Sequence, residues 1–265
     1  MLSFRGHPAL VAYVTCGDPD VATTRETVLA AINAGAEVIE LGVPFSDPVA
    51  DGPVIQRASE RALKHGTSLR DVLKLAADVR KQSEAGLIVF SYLNPILQMG
   101  TGKFAEELQR AGVDGALVTD LPVEEAGEYV RAMRARNLAT VFLAAPTSPD
   151  ARLKSIAQVS TGFVYAVART GVTGTRQELS GDARDLVRRV RKYTKLPVAV
   201  GFGVSTPQQF AAVGEFADAA VIGSAIVQTI ERNPRREPEA VAEFIGKLSA
   251  ISAQLSARKA GGRNS

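Results

Sequence analysis

The chain has 265 residues, of which 46% are hydrophobic and 22% are charged, a composition typical of globular proteins. Its net charge is only +3, and the densest basic run, VRRVRKYTK at 187–195, has helical spacing, which favours a solvated helix face over a nucleic-acid site. The single cysteine, Cys16, excludes an intramolecular disulfide and fits a reducing cytoplasm, and the sequence has neither a secretion signal nor a run of about 18 apolar residues that would span a membrane.

Short apolar runs rich in β-branched residues recur along the chain, and each is followed by a segment with helical periodicity. The runs are almost continuously apolar rather than alternating, which is typical of parallel strands that are covered on both faces. The predicted strands cover 9–15, 37–41, 87–92, 115–120, 140–145, 162–167, 196–201 and 219–223.

The intervening helices are predicted from periodicity and from their end signals. One ends at Gly35, one follows Thr67 as a capping residue, and one follows Pro122 with two acidic residues in its first turn, where the helix dipole favours them. The predicted helical segments are 21–35, 68–82, 123–137, 182–193, 206–216 and 238–255.

Eight strands that alternate with helices over about 250 residues predict an α/β protein with a single-domain (β/α)8 TIM barrel. A doubly wound open sheet is the alternative. No long linker divides the chain, so we assign residues 1–258 to the barrel and expect 259–265 to form a disordered tail.

The stretch ELGVPFSDPVADGP places acidic residues where a barrel has its active site, because such sites lie at the carboxyl ends of the strands. Glu40 falls near the end of the second strand, and Asp51 falls in the loop after it, just before Pro53. The spacing alone is as compatible with structural roles, in which Glu40 pairs with a lysine and Asp51 caps a helix, as it is with catalytic ones.

Glycine-rich turns follow the last two strands. Gly201 and Gly203 come after the seventh strand, and Gly223 and Ser224 come where the eighth strand turns into a short helix. This pair of loops, with a helix N-terminus, is the usual phosphate site of a barrel. The polar loop at 168–182 is predicted to act as a lid, with Gly171 and Gly174 as hinges.

Large apolar side chains gather at the same ends of the strands. As a set they favour a flat slot for an aromatic ligand, although each alone is compatible with ordinary barrel core. They are Tyr13, Phe90, Leu117, Leu143, Tyr165 and Phe202.

Seven motifs in chain order resemble those of tryptophan synthase α chains. The most specific is ELGVPFSDPVADGP, at the second strand. The other six are YVTCGDPD, SYLNPI, VTDLPVEEA, YAVARTGVTGTR, VGFGVS and VIGSAIV. They extend the resemblance from about residue 8 to about residue 255.

The resemblance implies a carbon–carbon lyase of tryptophan biosynthesis. This enzyme cleaves indole-3-glycerol phosphate to indole and glyceraldehyde 3-phosphate by a retro-aldol reaction, with no metal or organic cofactor in this chain. Glu40 matches the family's acid/base residue, and Asp51 matches the carboxylate that accepts a hydrogen bond from the indole N–H. Two carboxyls with different burial can hold different protonation states, as such chemistry requires.

The same resemblance assigns the binding residues. Thr173 in the lid would position the aspartate. The phosphate would be held by Gly174, Gly203, Gly223 and Ser224. The indole would be held by Tyr13, Ile55, Phe90, Leu117, Tyr165 and Phe202.

A pyridoxal-phosphate-dependent β chain is the implied partner, in a cytoplasmic α2β2 heterotetramer in which indole passes to the β chain. The loop with Asp47 and Pro48 and the segment around Asn94 would face it. The alternatives are a stand-alone lyase that releases indole and a catalytically idle barrel that acts as an allosteric partner. A sugar-phosphate isomerase would explain the phosphate loops but not the motif at the second strand.

The sequence departs from the family at its start, where only MLSFRGHP precedes the first strand instead of the usual N-terminal helix. Either Leu2 and Phe4 close the bottom of the barrel, or the true start of the protein lies further upstream. The departure bears on stability more than on chemistry, because the two ends of a barrel have different roles.

Overall fold

A computed structural model describes residues 2, 4–167, 176–201 and 203–261. Within them, parallel strands pair in the order β1 to β8, and β8 closes on β1, so the predicted barrel is confirmed and the open sheet is excluded. The strands are β1 (Ala9–Thr15), β2 (Val38–Gly42), β3 (Gly86–Ser91), β4 (Gly115–Val118), β5 (Ala139–Ala144), β6 (Val164–Val167), β7 (Val198–Gly201) and β8 (Ala219–Ile222).

Helices surround this barrel, and among the described residues none is both long and apolar enough to cross a membrane. They are α1 (Val21–Asn33), α2 (Pro53–Lys64), α3 (Leu69–Arg80), α4 (Leu93–Met99), α5 (Thr101–Arg110), α6 (Gly127–Arg134), α7 (Asp150–Val159), α8 (Arg176–Val190), α9 (Pro207–Gly214), α10 (Ser224–Arg232) and α11 (Glu237–Gly261).

Two predicted helix starts were wrong. Helix α3 is capped by Ser68 rather than Thr67, because the Asp71 carboxylate accepts hydrogen bonds from the Ser68 N–H at 3.1 Å and from its hydroxyl at 2.7 Å. Helix α6 begins at Gly127 rather than after Pro122, because the first residues form a turn that is closed by a hydrogen bond from the Glu125 N–H to the Pro122 carbonyl at 3.0 Å.

Two other helices are longer than predicted. Helix α8 already begins at Arg176, so residues 176–182 of the predicted lid are helical and Gly181 lies inside a helix. Helix α11 continues to Gly261, three residues into the segment 259–265 that we expected to be a tail.

The bottom of the barrel, where the strands begin, is closed by the N-terminal segment. No helix precedes β1 in the described part of this segment. Leu2 and Phe4 pack against the inner core, and the Phe4 ring meets the edge of Phe163 with centroids 5.7 Å apart. The Leu2 methyls reach so far inward that a Cβ atom on Gly86 or Gly162 would lie 2.8 or 2.9 Å from them. The position expected for Leu2 and Phe4, at the bottom of the barrel, is confirmed.

Candidate active site

Glu40 lies in the middle of β2 with its side chain inside the barrel, beside Tyr13 of β1 and Ile88 of β3 in the strand register. It is fully buried, and neither carboxyl oxygen has a hydrogen-bond partner among the described residues, which rules out a lysine pair there. Burial raises the pKa of Glu40 to about 8, because the charged form is desolvated. At neutral pH this carboxyl therefore carries a proton inside an apolar chamber.

Asp51 lies at the top of the barrel, in the loop between β2 and α2. Gly52 caps α2, so Asp51 is not the capping residue. Burial raises the pKa of Asp51 to about 6, and a hydrogen bond from Tyr92 opposes this shift. Asp51 is thus mostly ionised at neutral pH while Glu40 is mostly protonated, so the two carboxyls hold the different states that acid–base chemistry needs.

Tyr92 holds the Asp51 loop in place, although it was not among the residues predicted for the site. Its hydroxyl donates to Asp51 Oδ2 at 3.2 Å and accepts from the Ala50 N–H at 3.0 Å, while its ring stacks on Phe45 with centroids 4.9 Å apart. Tyr92 directly follows β3 in the motif SYLNPI, and this position at the carboxyl end of a strand was a signal that would have identified it.

Two tyrosines on the inside of the barrel lie over glycines of the neighbouring strands. A Cβ on Gly42 would lie 2.4 Å from the Tyr13 hydroxyl oxygen, and a Cβ on Gly201 would lie 2.5 Å from that of Tyr165. These glycines are needed because the rings occupy the space of a side chain. Gly201, which was predicted to belong to the phosphate turns, thus makes room for Tyr165.

The structure brings together several of the residues predicted to hold an indole. The Tyr13 ring meets the edge of Phe90 at a centroid distance of 5.1 Å, and Ile55 of α2 packs against the same cluster. Phe90, Leu143 and Tyr165 are half-buried and line the inner core below. Leu117 is fully buried within that core, so it supports the slot from beneath.

The glycine turns after β7 and β8 are neighbours, because these two strands pair with Gly201 opposite Val221. Gly203 is exposed and has a φ of 65°, a conformation that favours glycine. Gly223 caps α10, which begins at Ser224, and the first N–H groups of a helix have no partner within it. This helix end is therefore suited to bind an anion.

A family model for the tryptophan synthase alpha chain matches residues 2–255. The chain belongs to this family. The tryptophan synthase alpha chain of Solibacter usitatus is 53% identical over 225 residues, which cover 85% of this chain and 84% of the relative. That of Alkalilimnicola ehrlichii is 47% identical over 247 residues, with coverage of 92% and 90%.

Solved structures of the family share the fold along nearly the whole chain. The tryptophan synthase subunit alpha of Legionella pneumophila superposes with a TM-score of 0.85 at 35% identity, covering 93% of each chain. A chain of the tryptophan synthase complex of Pyrococcus furiosus gives a TM-score of 0.83 at 39% identity, covering 92% of this chain and 99% of that one.

Three residues that the resemblance to the tryptophan synthase α chains assigned to the site lie outside the described residues. They are Thr173 and Gly174 of the predicted lid and Phe202 after β7. The hinge residue Gly171 lies outside them as well. The roles of all four stay predictions.

The segments that the α-chain resemblance assigned to a partner-facing surface lie at the top of the barrel. Asp47 is exposed and accepts a hydrogen bond from the Ser46 hydroxyl at 2.6 Å, next to the half-buried Pro48. Asn94 is exposed on α4. Two large apolar side chains are exposed beside them, Val49 at 86% and Leu97 at 58%, which is typical of a surface that binds another protein.

Metal-ligating side chains do not gather in the described part of this α-chain homologue. Across residues 2, 4–167, 176–201 and 203–261, no group of three or more His, Cys, Asp or Glu side chains is placed to hold a metal ion.

Proposed function

We propose that the chain is the α subunit of a tryptophan synthase and cleaves indole-3-glycerol phosphate to indole and glyceraldehyde 3-phosphate. The observation that carries this proposal is the unpartnered Glu40 carboxyl inside the barrel, below the loop that carries Asp51. A buried carboxyl with no partner among the described residues is costly, so its presence is explained by a substrate that completes its hydrogen bonds.

The reaction requires one proton to enter and one to leave. Glu40 gives its proton to C3 of the indole ring, which leaves the ring as a cation. The resulting carboxylate then accepts the proton of the neighbouring hydroxyl, the bond between C3 and the side chain breaks, and its electron pair returns to the ring. Indole and an aldehyde are released, and Glu40 regains its proton. Its raised pKa of about 8 suits a group that must do both tasks near neutral pH.

Asp51 stabilises the positive charge that develops on the ring. As a carboxylate it accepts a hydrogen bond from the indole N–H, which becomes more acidic when C3 is protonated. The Tyr92 hydrogen bond favours the ionised form of Asp51 and fixes its orientation. Tyr13, Ile55 and Phe90 form one wall of the indole slot, with Tyr165 and Leu117 below and Phe202 as a further contact.

The phosphate of the substrate binds at the turns after β7 and β8. The free N–H groups at the start of α10 and the helix dipole attract the dianion at Gly223 and Ser224. Gly203 and the lid residue Gly174 complete this end of the site, and Thr173 positions Asp51 when the lid closes.

A β chain is the partner that this proposal implies, because the similar chain from Pyrococcus furiosus belongs to a tryptophan synthase complex. The exposed surface with Asp47, Val49 and Asn94 faces it in an α2β2 assembly. The chain's own reaction needs no metal or organic cofactor, and the pyridoxal phosphate belongs to the β chain. The complex acts in the cytoplasm.

The test is the release of indole from indole-3-glycerol phosphate by the full chain, alone and with saturating β chain. We expect slow release by the chain alone and at least about tenfold faster turnover with the β chain, equivalent to about 1.4 kcal/mol of barrier lowering. Full activity without the β chain would identify a stand-alone lyase. No activity even in the assembled complex would identify an idle allosteric barrel and refute the proposal.

A further inference from the structure

A network of ion pairs lies at the top of the barrel beside the proposed site, and the reaction proposed above does not use it. It joins Asp18 in the loop after β1, Arg57 and Arg61 on α2, and Glu231 in the last turn of α10, and we call it the rim network. Arg61 donates to the two Asp18 oxygens at 2.7 and 2.8 Å and to Glu231 Oε1 at 2.8 Å. Arg57 donates to both Glu231 oxygens at 3.0 Å.

The two halves of the rim network differ in burial. The Asp18 side chain is only 2% exposed, so its pair with Arg61 is needed to compensate a buried charge. The Glu231 side chain is 28% exposed, and two guanidinium groups, Arg57 first, lower its pKa to about 2. Glu231 is therefore ionised at neutral pH and holds α10 against α2 through charge-assisted hydrogen bonds.

The two helices joined in this way carry opposite ends of the proposed substrate site. Helix α2 begins two residues after Asp51 and presents Ile55 to the indole wall, whereas α10 begins at the phosphate end with Ser224. Each helix follows a different strand, β2 or β8, and both strands flank β1. Both helices also pack against β1, where Ala58 of α2 and Val227 of α10 lie in one buried cluster with Tyr13. Their mutual position therefore depends on this shared packing, on their direct contact and on the rim network.

We propose that Glu231 is a positioning residue which, held by Arg57 and Arg61, sets the distance between the phosphate-binding end of α10 and Asp51. This inference rests on the proposed function, because only a substrate with an indole at one end and a phosphate at the other spans that distance. A shift of about 1 Å in such a distance can cost up to about 10²-fold in rate, even when each end still binds its own part of the substrate.

The test compares the whole substrate with its two halves. Glu231→Gln removes the charge, keeps the shape and leaves the buried Asp18–Arg61 pair intact. With saturating β chain, we expect kcat/KM for cleavage to fall about 5- to 20-fold, within the range of changes along such networks. The dissociation constants of glycerol 3-phosphate and of indole, each measured alone, should change less than about twofold, because each end of the site remains intact.

Two further variants separate positioning from general damage. Arg57→Gln should reproduce part of the effect, because it removes one of the two arginine contacts that Glu231→Gln weakens. The double variant should be no worse than Glu231→Gln alone, because the Arg57–Glu231 ion pair is already broken in that single variant. Glu215→Gln is the matched control, since it breaks the 2.8 Å pair of Glu215 with Arg184, which lies between α8 and the end of α9. It should leave kcat/KM unchanged.

Unchanged cleavage in Glu231→Gln would overturn the inference, and so would a parallel loss of affinity for both fragments or an equal loss in Glu215→Gln. Failure of the wild-type complex to cleave the substrate would overturn the proposed function and this inference with it. If the wild-type complex cleaves the substrate and Glu231→Gln cleaves it equally well, the inference is overturned but the proposed function is not.

Discussion

The two ends of the barrel differ in whether their polar groups have hydrogen-bond partners. At the bottom, the Glu37 carboxylate accepts hydrogen bonds from the backbone N–H groups of Arg5 and Gly6, and aromatic rings fill the interior. Near the top, Glu40 is buried without a partner among the described residues, and the first N–H groups of α10 have none within their helix. The bottom is complete without a ligand, whereas the top is not, which indicates that stability and chemistry are separated along the barrel axis.

The strongest way to test this separation is to alter the two carboxyls. Glu40→Gln and Asp51→Asn should each lower turnover at least about 10²-fold, because a positioned acid–base group and a positioned charge that stabilises the transition state each typically contribute about that much. Steady-state cleavage with saturating β chain measures the effect. Asp47→Asn, the same change in the same loop, is the control and should leave the chemical step nearly unchanged.

The pH dependence of stability distinguishes lost chemistry from lost folding. The pKa of Glu40 is about 8 in the folded chain and near 4.5 when unfolded, so the wild type loses stability as pH rises through this window. Glu40→Gln has no such group. In urea unfolding, its free energy of unfolding should therefore rise relative to that of the wild type between about pH 5 and about pH 8. If the free energy of unfolding of the wild type rose relative to that of Glu40→Gln over this pH range, the assigned pKa shift would be contradicted.

The next largest effect is expected at the phosphate end. Gly223→Asp places a negative charge at the proposed dianion site, so KM should rise by at least about tenfold, while the affinity for free indole changes little. Gly223→Ala is the matched control, because a Cβ there would contact the Tyr13 ring at an ordinary 3.5 Å. Similar losses in both variants would mean that shape rather than charge is responsible.

At the bottom, the expected effect is on stability alone. Phe4→Ala removes a half-buried ring from the barrel floor and should lower the free energy of unfolding by about 1–2 kcal/mol. Urea unfolding measures this loss, and turnover of the folded protein should stay unchanged. Leu97→Ala, a truncation at a largely exposed site, should cost little stability. A large loss of turnover in Phe4→Ala would show that the two ends are coupled.

The smallest expected effect concerns Tyr92. With Asp51 ionised above about pH 6 and Glu40 protonated below about pH 8, kcat/KM should peak between these values. Tyr92→Phe removes a hydrogen bond that lowers the Asp51 pKa, so the acidic limb should move to higher pH. Tyr193→Phe is the control. It removes a similar hydrogen bond of 3.2 Å, from the Tyr193 hydroxyl to Asp150, which is not part of the proposed site, and should leave both limbs of the pH profile in place.

Much of the fold could be predicted from the sequence because the strands are buried on both faces and thus form continuous apolar runs. All eight were located, with boundaries that differ from the structure by at most two residues. Helices α4, α5 and α7 were not predicted, and the start of α6 was placed too early. Pro122 and the acids after it are helix-start signals, but here they form a turn, and only tertiary packing distinguishes these outcomes.

The positions of Glu40 and Asp51 could likewise be predicted, because the carboxyl ends of parallel strands converge in any barrel. Different protonation states were expected from their roles, but the pKa shifts themselves could not be predicted, since they depend on burial and on Tyr92, which follows another strand. The rim network was also missed. Its members Asp18 and Glu231 are far apart in sequence, and no local pattern indicates that Arg61 lies between them.

The closed floor of the barrel has a practical consequence for attaching probes. The N-terminal segment passes beneath the strands, with Leu2 against the inner core, on the side opposite to Asp51 and to the exposed Val49. A fluorophore or surface tether joined ahead of this segment would leave the top of the molecule unobstructed. Immobilised in this orientation, the chain would present its open end to soluble β chain and substrate, as single-molecule and surface-binding measurements require.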